Sequence, residues 1–175
     1  MLDCNTTEGK KFIKKENETR NILQNFYKDK LLTIKKPTDK AHTDDGMMYM
    51  NSKLHGVCEI KTRPHWNRKR REPFTLERFL NDRKGYLITE WKLTWLQKVS
   101  KENLIWSYIF LNIPYEKRIV KFRVTDRDGN FFIKYNSDFT ETYYSSNDYK
   151  GKVFRDNAYI PYKGNEEHIE WFNYG

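Results

Sequence analysis

Apolar residues near the start of the chain, Phe12, Ile13, Ile22, Leu23, Phe26 and Leu31, recur near helical spacing with Tyr27 alongside, and they predict a helix over about 15–28. On that helix Glu18, Ile22 and Phe26 would share a face. The run LLTIKKP then reads as a short strand stopped by Pro37, followed by the polar loop PTDKAHTDD. GMMYM and VCEIK follow as two strands around NSKLHG, whose Asn, Ser and Gly suit a hairpin turn. RPHWNRKRRE breaks the periodicity and reads as a loop. Pro73 and Thr75 introduce a short helix, TLERFLNDRK, closed by Gly85, and Thr89 is placed to cap a second, EWKLTWLQKVSK, with Trp91, Trp95 and Val99 along one stripe. LIWSYIFLNIP is apolar, aromatic and β-branched, so it reads as a buried strand ended by Pro114. Beyond it RIVKFRVT and FFIKYN flank DRDG, a hairpin signal, and KVFR and AYIPY continue as β structure.

With no internal repeat and no low-complexity linker, this order of elements predicts one α/β (α+β) domain over 1–175, built on a mixed sheet. The length of 175 residues supports a real core but not two comfortable ones.

Charge narrows the partners. The 33 Lys+Arg outnumber the 24 Asp+Glu, giving a formal net charge of +9, which favours a polyanionic partner, nucleic acid first. No stretch reaches the ~18 continuous apolar residues of a spanning helix and no basic amphipathic helix stands out, so no membrane partner is expected. MLDCNTTEGKK lacks the apolar run of a secretory signal, and Cys4 and Cys58 are the only cysteines; the expected location is a reducing cytoplasm. Abundant Lys, Asn, Ile and Tyr match the usage of an AT-rich coding genome such as that of a phage, in which case the cytoplasm is the host's.

The stretch VCEIKT concentrates the candidate chemistry. On a strand, Glu59 and Lys61 point to one face while Cys58 and Ile60 point to the other. Hydrolysis of a phosphodiester needs carboxylates to hold a divalent cation and a positive group to position water or offset developing charge. Asp, Glu and Lys supply those parts.

A helix bearing an acidic residue, then Asp-Gly opening a strand, then apolar-x-Glu-x-Lys on the next strand, resembles the core of the PD-(D/E)XK nuclease superfamily. Here the motif stands as Asp44-Asp45-Gly46 and Cys58-Glu59-Ile60-Lys61-Thr62-Arg63, and the resemblance covers about 12–114. It departs from the family pattern in having no proline before the aspartates. It implies a restriction-endonuclease-like core, with residues from about 115 to 175 as a β-rich extension. It further implies Mg²⁺ or Mn²⁺ held by Asp45 and Glu59 with the Ile60 carbonyl as a further ligand, and Lys61 orienting the attacking water. Glu18 matches an acidic position that some members use as an additional ligand, and Lys92 is placed to face the same pocket. Strand parity leaves Asp44 or Asp45 open as the ligand; the resemblance favours Asp45, which stands before the glycine that opens the strand.

Each of these residues has a plainer reading. Glu59 and Lys61 can form an ion pair on a solvated face, Glu18 can be an exposed helix residue near Lys15 or Arg20, Lys92 can snorkel beside Trp91 or Trp95, and the tryptophans can be core. The combination of motif, preceding helix and following basic loop weighs toward catalysis. That loop carries Arg63, Arg68, Lys69, Arg70 and Arg71 around Trp66, immediately after Lys61, where it can track a nucleic-acid backbone. His42, His55, His65 and His168 show no zinc-site spacing, and no GxxxxGK[ST] phosphate loop is present. The expected activity is a Mg²⁺-dependent deoxyribonuclease acting on DNA. The alternatives are a nucleic-acid-binding module of the same fold without catalysis, or an RNA-processing nuclease. Oligomeric state is left open, a homodimer being one option.

Overall fold

A computed structural model describes residues 7–36, 46–67, 72–143 and 152–175. Helix α1 (Thr7–Phe26) begins earlier than the apolar spacing predicts. Its buried face carries Thr19 and Leu23, four residues apart, whereas Glu18 is exposed and Phe26 lies at the rim, stacked on Phe172. The expected face through Glu18, Ile22 and Phe26 is therefore rotated away from the sheet. What fixes the rotation is polar as well as apolar: Thr19 bonds Thr62 at 2.9 Å and accepts from Asn112 at 2.8 Å.

Three antiparallel strands follow, β1 (Thr33–Lys35), β2 (Gly46–Met50) and β3 (Lys53–Thr62). The β2–β3 turn is tighter than the expected NSKLHG. Asn51 and Ser52 form it alone, both at positive φ (49° and 63°), the geometry that matches the twist of flanking strands. The extra residue His55 then shifts the register between Met48 and Tyr49, so that Gly46 pairs with Cys58.

The basic stretch holds two short paired strands, β4 (Trp66–Asn67) and β5 (Glu72–Pro73). Helix α2 (Leu76–Asn81) is capped by the Thr75 hydroxyl, which accepts from the Arg78 amide at 3.2 Å. It ends before Gly85 because GYLIT, which carries no strong local signal, forms β6 (Tyr86–Thr89). Gly85 sits at φ +77°, and a side chain there would run into the Ile160 backbone. Helix α3 (Glu90–Asn103) starts directly from β6 with Thr89 at its N-cap, although the Thr89 side chain makes no capping bond. Its buried line is Leu93, Leu96 and Ser100 with Val99. Trp91 is 48% exposed and Trp95 partly buried, so the stripe expected through the tryptophans is displaced.

Strand β7 (Trp106–Ile113) is buried at every position after Trp106, which explains a sequence with no polar alternation: it has a strand on each side and a helix over each face. β8 (Arg118–Thr125) turns at DRDG, where Asp126 accepts from the Asp128 and Asn130 amides. FFIKYN does not form the second hairpin strand. It makes one bridge, Phe131 to Thr125, and leaves, because the free edge of β8 is taken by β11 (Ile169–Asn173), with Ile169 opposite Phe122. β9 (Asn136–Tyr143) and β10 (Lys152–Ile160) pair with each other, and β10 also pairs with β6.

The result is a mixed six-stranded sheet in the order β1-β2-β3-β7-β8-β11, in which β3 and β7 run parallel, beside a three-stranded sheet β6-β10-β9. The expected mixed sheet flanked by helices is present, and β8 and β11 complete it from the carboxyl-terminal part of the chain. One core lies between α3 and the sheet, around Val57, Leu93, Ile109, Leu111 and Phe122. The other lies on the α1 side, around Leu23, Ile34, Met48, Cys58, Ile60 and Phe110. Among the described residues no helix is long and apolar enough to cross a membrane.

Candidate functional site

Alternation along β3 divides its side chains between the two cores. Cys58 and Ile60 enter the α1 side, and Val57 enters the α3 side with Glu59 and Lys61 next along the same face. Glu59 is 1% exposed and stands opposite Ile109 on β7. Lys61 Nζ approaches Glu59 Oε1 at 2.7 Å, and Lys92 Nζ from the first turn of α3 contacts the same oxygen. The direct passage from β6 into α3 is what brings that turn over β3.

Burial pushes the Glu59 carboxyl up, but the ammonium groups of Lys61 and Lys92 outweigh burial and hold it below the usual carboxylate range. The site therefore contains a water-shielded carboxylate whose ionised form the two ammonium groups favour. Lys61 is 40% exposed and Lys92 20%, so both cations reach from the core toward solvent. Two cations around one anion leave a local positive charge suited to an anionic ligand.

The expected convergence of Glu59, Lys61 and Lys92 is thus seen. Ile60, whose carbonyl is the expected further ligand, pairs with Phe110 within the β3–β7 ladder. Asp44 and Asp45 lie outside the described residues, though Gly46, bonded directly to Asp45, pairs with Cys58, next to Glu59. Gly46 also explains why glycine opens β2: a β-carbon there would collide with the Ile34 side chain. Glu18 is not gathered into this group. It is exposed on α1, which covers the opposite face of the sheet through the Thr19–Thr62 bond.

The donor set bears on whether a hard divalent cation fits here. Among the described residues no three His, Cys, Asp or Glu side chains cluster, and Glu59 supplies one anionic oxygen ligand. A single buried carboxylate whose Oε1 already carries two ammonium groups does not hold such a cation by itself; a second acidic ligand from the segment before Gly46, and release of that oxygen by a lysine, would be needed.

Arg63 continues the Glu59–Lys61 face, its amide bonding the Asn112 carbonyl at 2.9 Å. Its guanidinium lies over the rings of Phe74 (5.1 Å) and Tyr86 (5.4 Å). Arg68, Lys69, Arg70 and Arg71 lie outside the described residues, and of Trp66 only the backbone, in β4, is described. Sequence reasoning missed Arg78 and Lys84, which join Arg63 around a cleft of about 280 Å³ beside α2. The signal was present but diluted: LERFLNDRK looks like any amphipathic helix with solvated basic residues.

No family model, no curated protein and no solved structure matches this chain. Fold and site define the class in their own terms: a mixed α/β domain with a buried, ionised glutamate clasped by a lysine from its own strand and another from the facing helix.

Proposed function

We propose that the chain is a metal-dependent nuclease that hydrolyses DNA phosphodiester bonds, of the PD-(D/E)XK type. One observation carries the reading: the buried Glu59 carboxylate shares its strand face with Lys61 and receives Lys92 from α3. The element order supports it, since a helix, three antiparallel strands, a helix and a strand parallel to the third is the frame the sequence motif implies.

In this reading Glu59, Asp45 and the Ile60 carbonyl hold Mg²⁺ or Mn²⁺, which when bound polarises the phosphate and acidifies water. Lys61, the more exposed of the two lysines, orients the attacking water and offsets charge developing on the phosphate. Lys92 keeps Glu59 ionised and fixes its direction. Arg63 and the basic segment 68–71 hold the strand beside the site.

Glu59 Oε1 is already engaged by both lysines, and this favours a second reading in which the three residues form a structural ion-pair cluster and the protein binds nucleic acid without cutting it. Incubation of the purified protein with linear, circular, nicked and branched DNA, and with RNA, in Mg²⁺, Mn²⁺ or EDTA separates the two. Metal-dependent DNA cleavage lost in Glu59→Gln supports the nuclease. Binding without cleavage under every condition supports the second reading.

A further inference from the structure

The cleft beside α2 has a composition that the active-site reading leaves unused. The Phe74 ring has the Arg63 guanidinium 5.1 Å from its centroid and that of Arg78 5.4 Å away. Among the described residues Arg63 Nε is buried with no hydrogen-bond partner, as are Nε and Nη1 of Arg78. Glu72 lies 3.1 Å from Arg78 Nη1, an ion pair that lacks hydrogen-bond geometry and that is half exposed on the glutamate side. Lys84 stands over the Tyr159 ring at 5.4 Å across the same cleft, and the carboxylate of Asp82 accepts from the Lys84 amide. Two guanidinium groups sharing one ring, with Lys84 across the cleft and Glu72 and Asp82 as the neighbouring carboxylates, leave a net positive charge that a bound anion stabilises.

Placement bears on which anion this is. Arg63 follows Lys61 by two residues, one position past the end of β3, where its amide still bonds the Asn112 carbonyl on β7; two extended residues span about 7 Å. Neighbouring phosphates of a nucleic-acid strand are spaced on that scale. We infer that this cleft, formed by Arg63, Arg78 and Lys84, binds a phosphate of the substrate strand adjacent to the one at Lys61. The inference rests on the nuclease or nucleic-acid-binding reading of the site, and it names a register: one phosphate at Lys61 and the next between the arginines. The same chemistry accepts an internal phosphodiester or a terminal phosphate monoester.

The test measures binding in EDTA, where cleavage plays no part. Fluorescence anisotropy follows a labelled single-stranded oligodeoxynucleotide, with and without a 5′-phosphate, over a salt series, and unlabelled circular single-stranded DNA competes as a strand without ends. Arg78→Gln and Lys84→Gln are each expected to weaken binding about three- to tenfold, and to lower the slope of log K against log salt by about 0.7 for each phosphate no longer neutralised. Lys98→Gln, on the exposed side of α3 where Lys98 pairs with Glu102, controls for net charge and should change affinity less than about twofold. Effective competition by circular DNA assigns an internal phosphodiester, whereas a preference for the 5′-phosphorylated strand that Arg78→Gln erases assigns a terminal one. Because Lys84 is exposed, its variant stays informative if Arg78→Gln perturbs folding. Unchanged affinity and slope in folded Lys84→Gln and Arg78→Gln overturn the inference even if the protein cuts DNA. Cleft-dependent binding by a protein that never cuts overturns only the nuclease reading.

Discussion

Lys92 in the first turn of α3 and Glu59 in β3 are 33 positions apart in the chain, yet Nζ of one contacts Oε1 of the other. Lys61 reaches that oxygen from within the strand. A helix–sheet interface is a costly place for a carboxylate, and single-partner burial would leave it poorly compensated. The two lysines solve this by keeping their stems in the core and their charged ends near water. The same two ammonium groups favour the ionised form of the carboxylate.

An acid limb of stability follows. Glu59 has a folded pKa held below its unfolded value of about 4.3, so its contribution is fully present above that value and is lost as pH falls through the folded pKa. Lys92→Met removes one of the two opposing cations while burial remains, so the acid limb should move to higher pH. Glu59→Gln should delete this component, keep the fold and cost about 2 kcal/mol at neutral pH, or roughly 4–8 °C in Tm. Urea midpoints between pH 3 and 7 for the three proteins provide the check. An acid limb that stays in place in Lys92→Met would show that the two residues are not electrostatically linked in solution.

Turnover tests Lys61 separately from the fold. Lys61 is 40% exposed and Glu59 keeps Lys92 without it, so Lys61→Ala should remain folded and still bind metal. Loss of a preorganised positive group at the reacting phosphate typically costs about 10²–10³ in rate. Single-turnover cleavage near the wild-type rate, with an unchanged melting temperature, would reduce Lys61 to a surface ion-pair residue.

Much of this frame was readable from local pattern, and where it was not the cause is tertiary. Val57 to Lys61 alternate cleanly because one strand separates two cores, so the face shared by Glu59 and Lys61 was visible from period two alone. Trp91 and Trp95 misled because α3 is oriented by what β7 and β8 offer, and the smaller Leu93, Leu96 and Ser100 fit there. Ser100 is buried with its hydroxyl hydrogen-bonded: its one proton lies within reach of the Ile105 and Asp126 carbonyls, and its oxygen accepts from the Thr125 hydroxyl. FFIKYN has strand composition, but the edge it would occupy belongs to β11, some forty residues on, and no local signal reports that competition. The Arg63–Arg78 cleft was hidden for the same reason: Phe74 joins two arginines that the sequence assigns to separate elements.

Charge reversal at Arg68, Lys69, Arg70 and Arg71 should weaken DNA binding and flatten its salt dependence. Each phosphate neutralised on duplex DNA contributes about 0.9 to the slope of log K against log salt, so removing all four cations lowers it by about 3.6. β4 and β5 flank this segment in the chain, and the residues on either side of it, Asn67 and Glu72, are paired. Anisotropy titrations at several salt concentrations measure the slope. An unchanged value would mean that the segment does not touch nucleic acid.

The register of β2 against β3 at Gly46 bears on the choice between Asp44 and Asp45, which themselves lie outside the described residues. Paired residues in an antiparallel ladder share a face, and Gly46, opposite Cys58, belongs to the α1 side, where a β-carbon would strike Ile34. The two-residue turn at Asn51 and Ser52, carried straight along the ladder, would have set Val57 opposite Gly46 and position 44 opposite Glu59. The extra residue at His55 moves every later pair by one, so the ladder extended one step beyond Gly46 would set position 45 opposite Glu59. Asp45→Asn should therefore abolish metal-dependent cleavage, and Asp44→Asn should keep more than about half of it, an amide in place of one carboxylate changing ligand charge but little volume. Both variants should melt close to the wild type in EDTA. A side-by-side cleavage assay with Asp44→Asn dead and Asp45→Asn active would show that the ladder does not continue in this register to the ligand, whatever its pairing at Gly46.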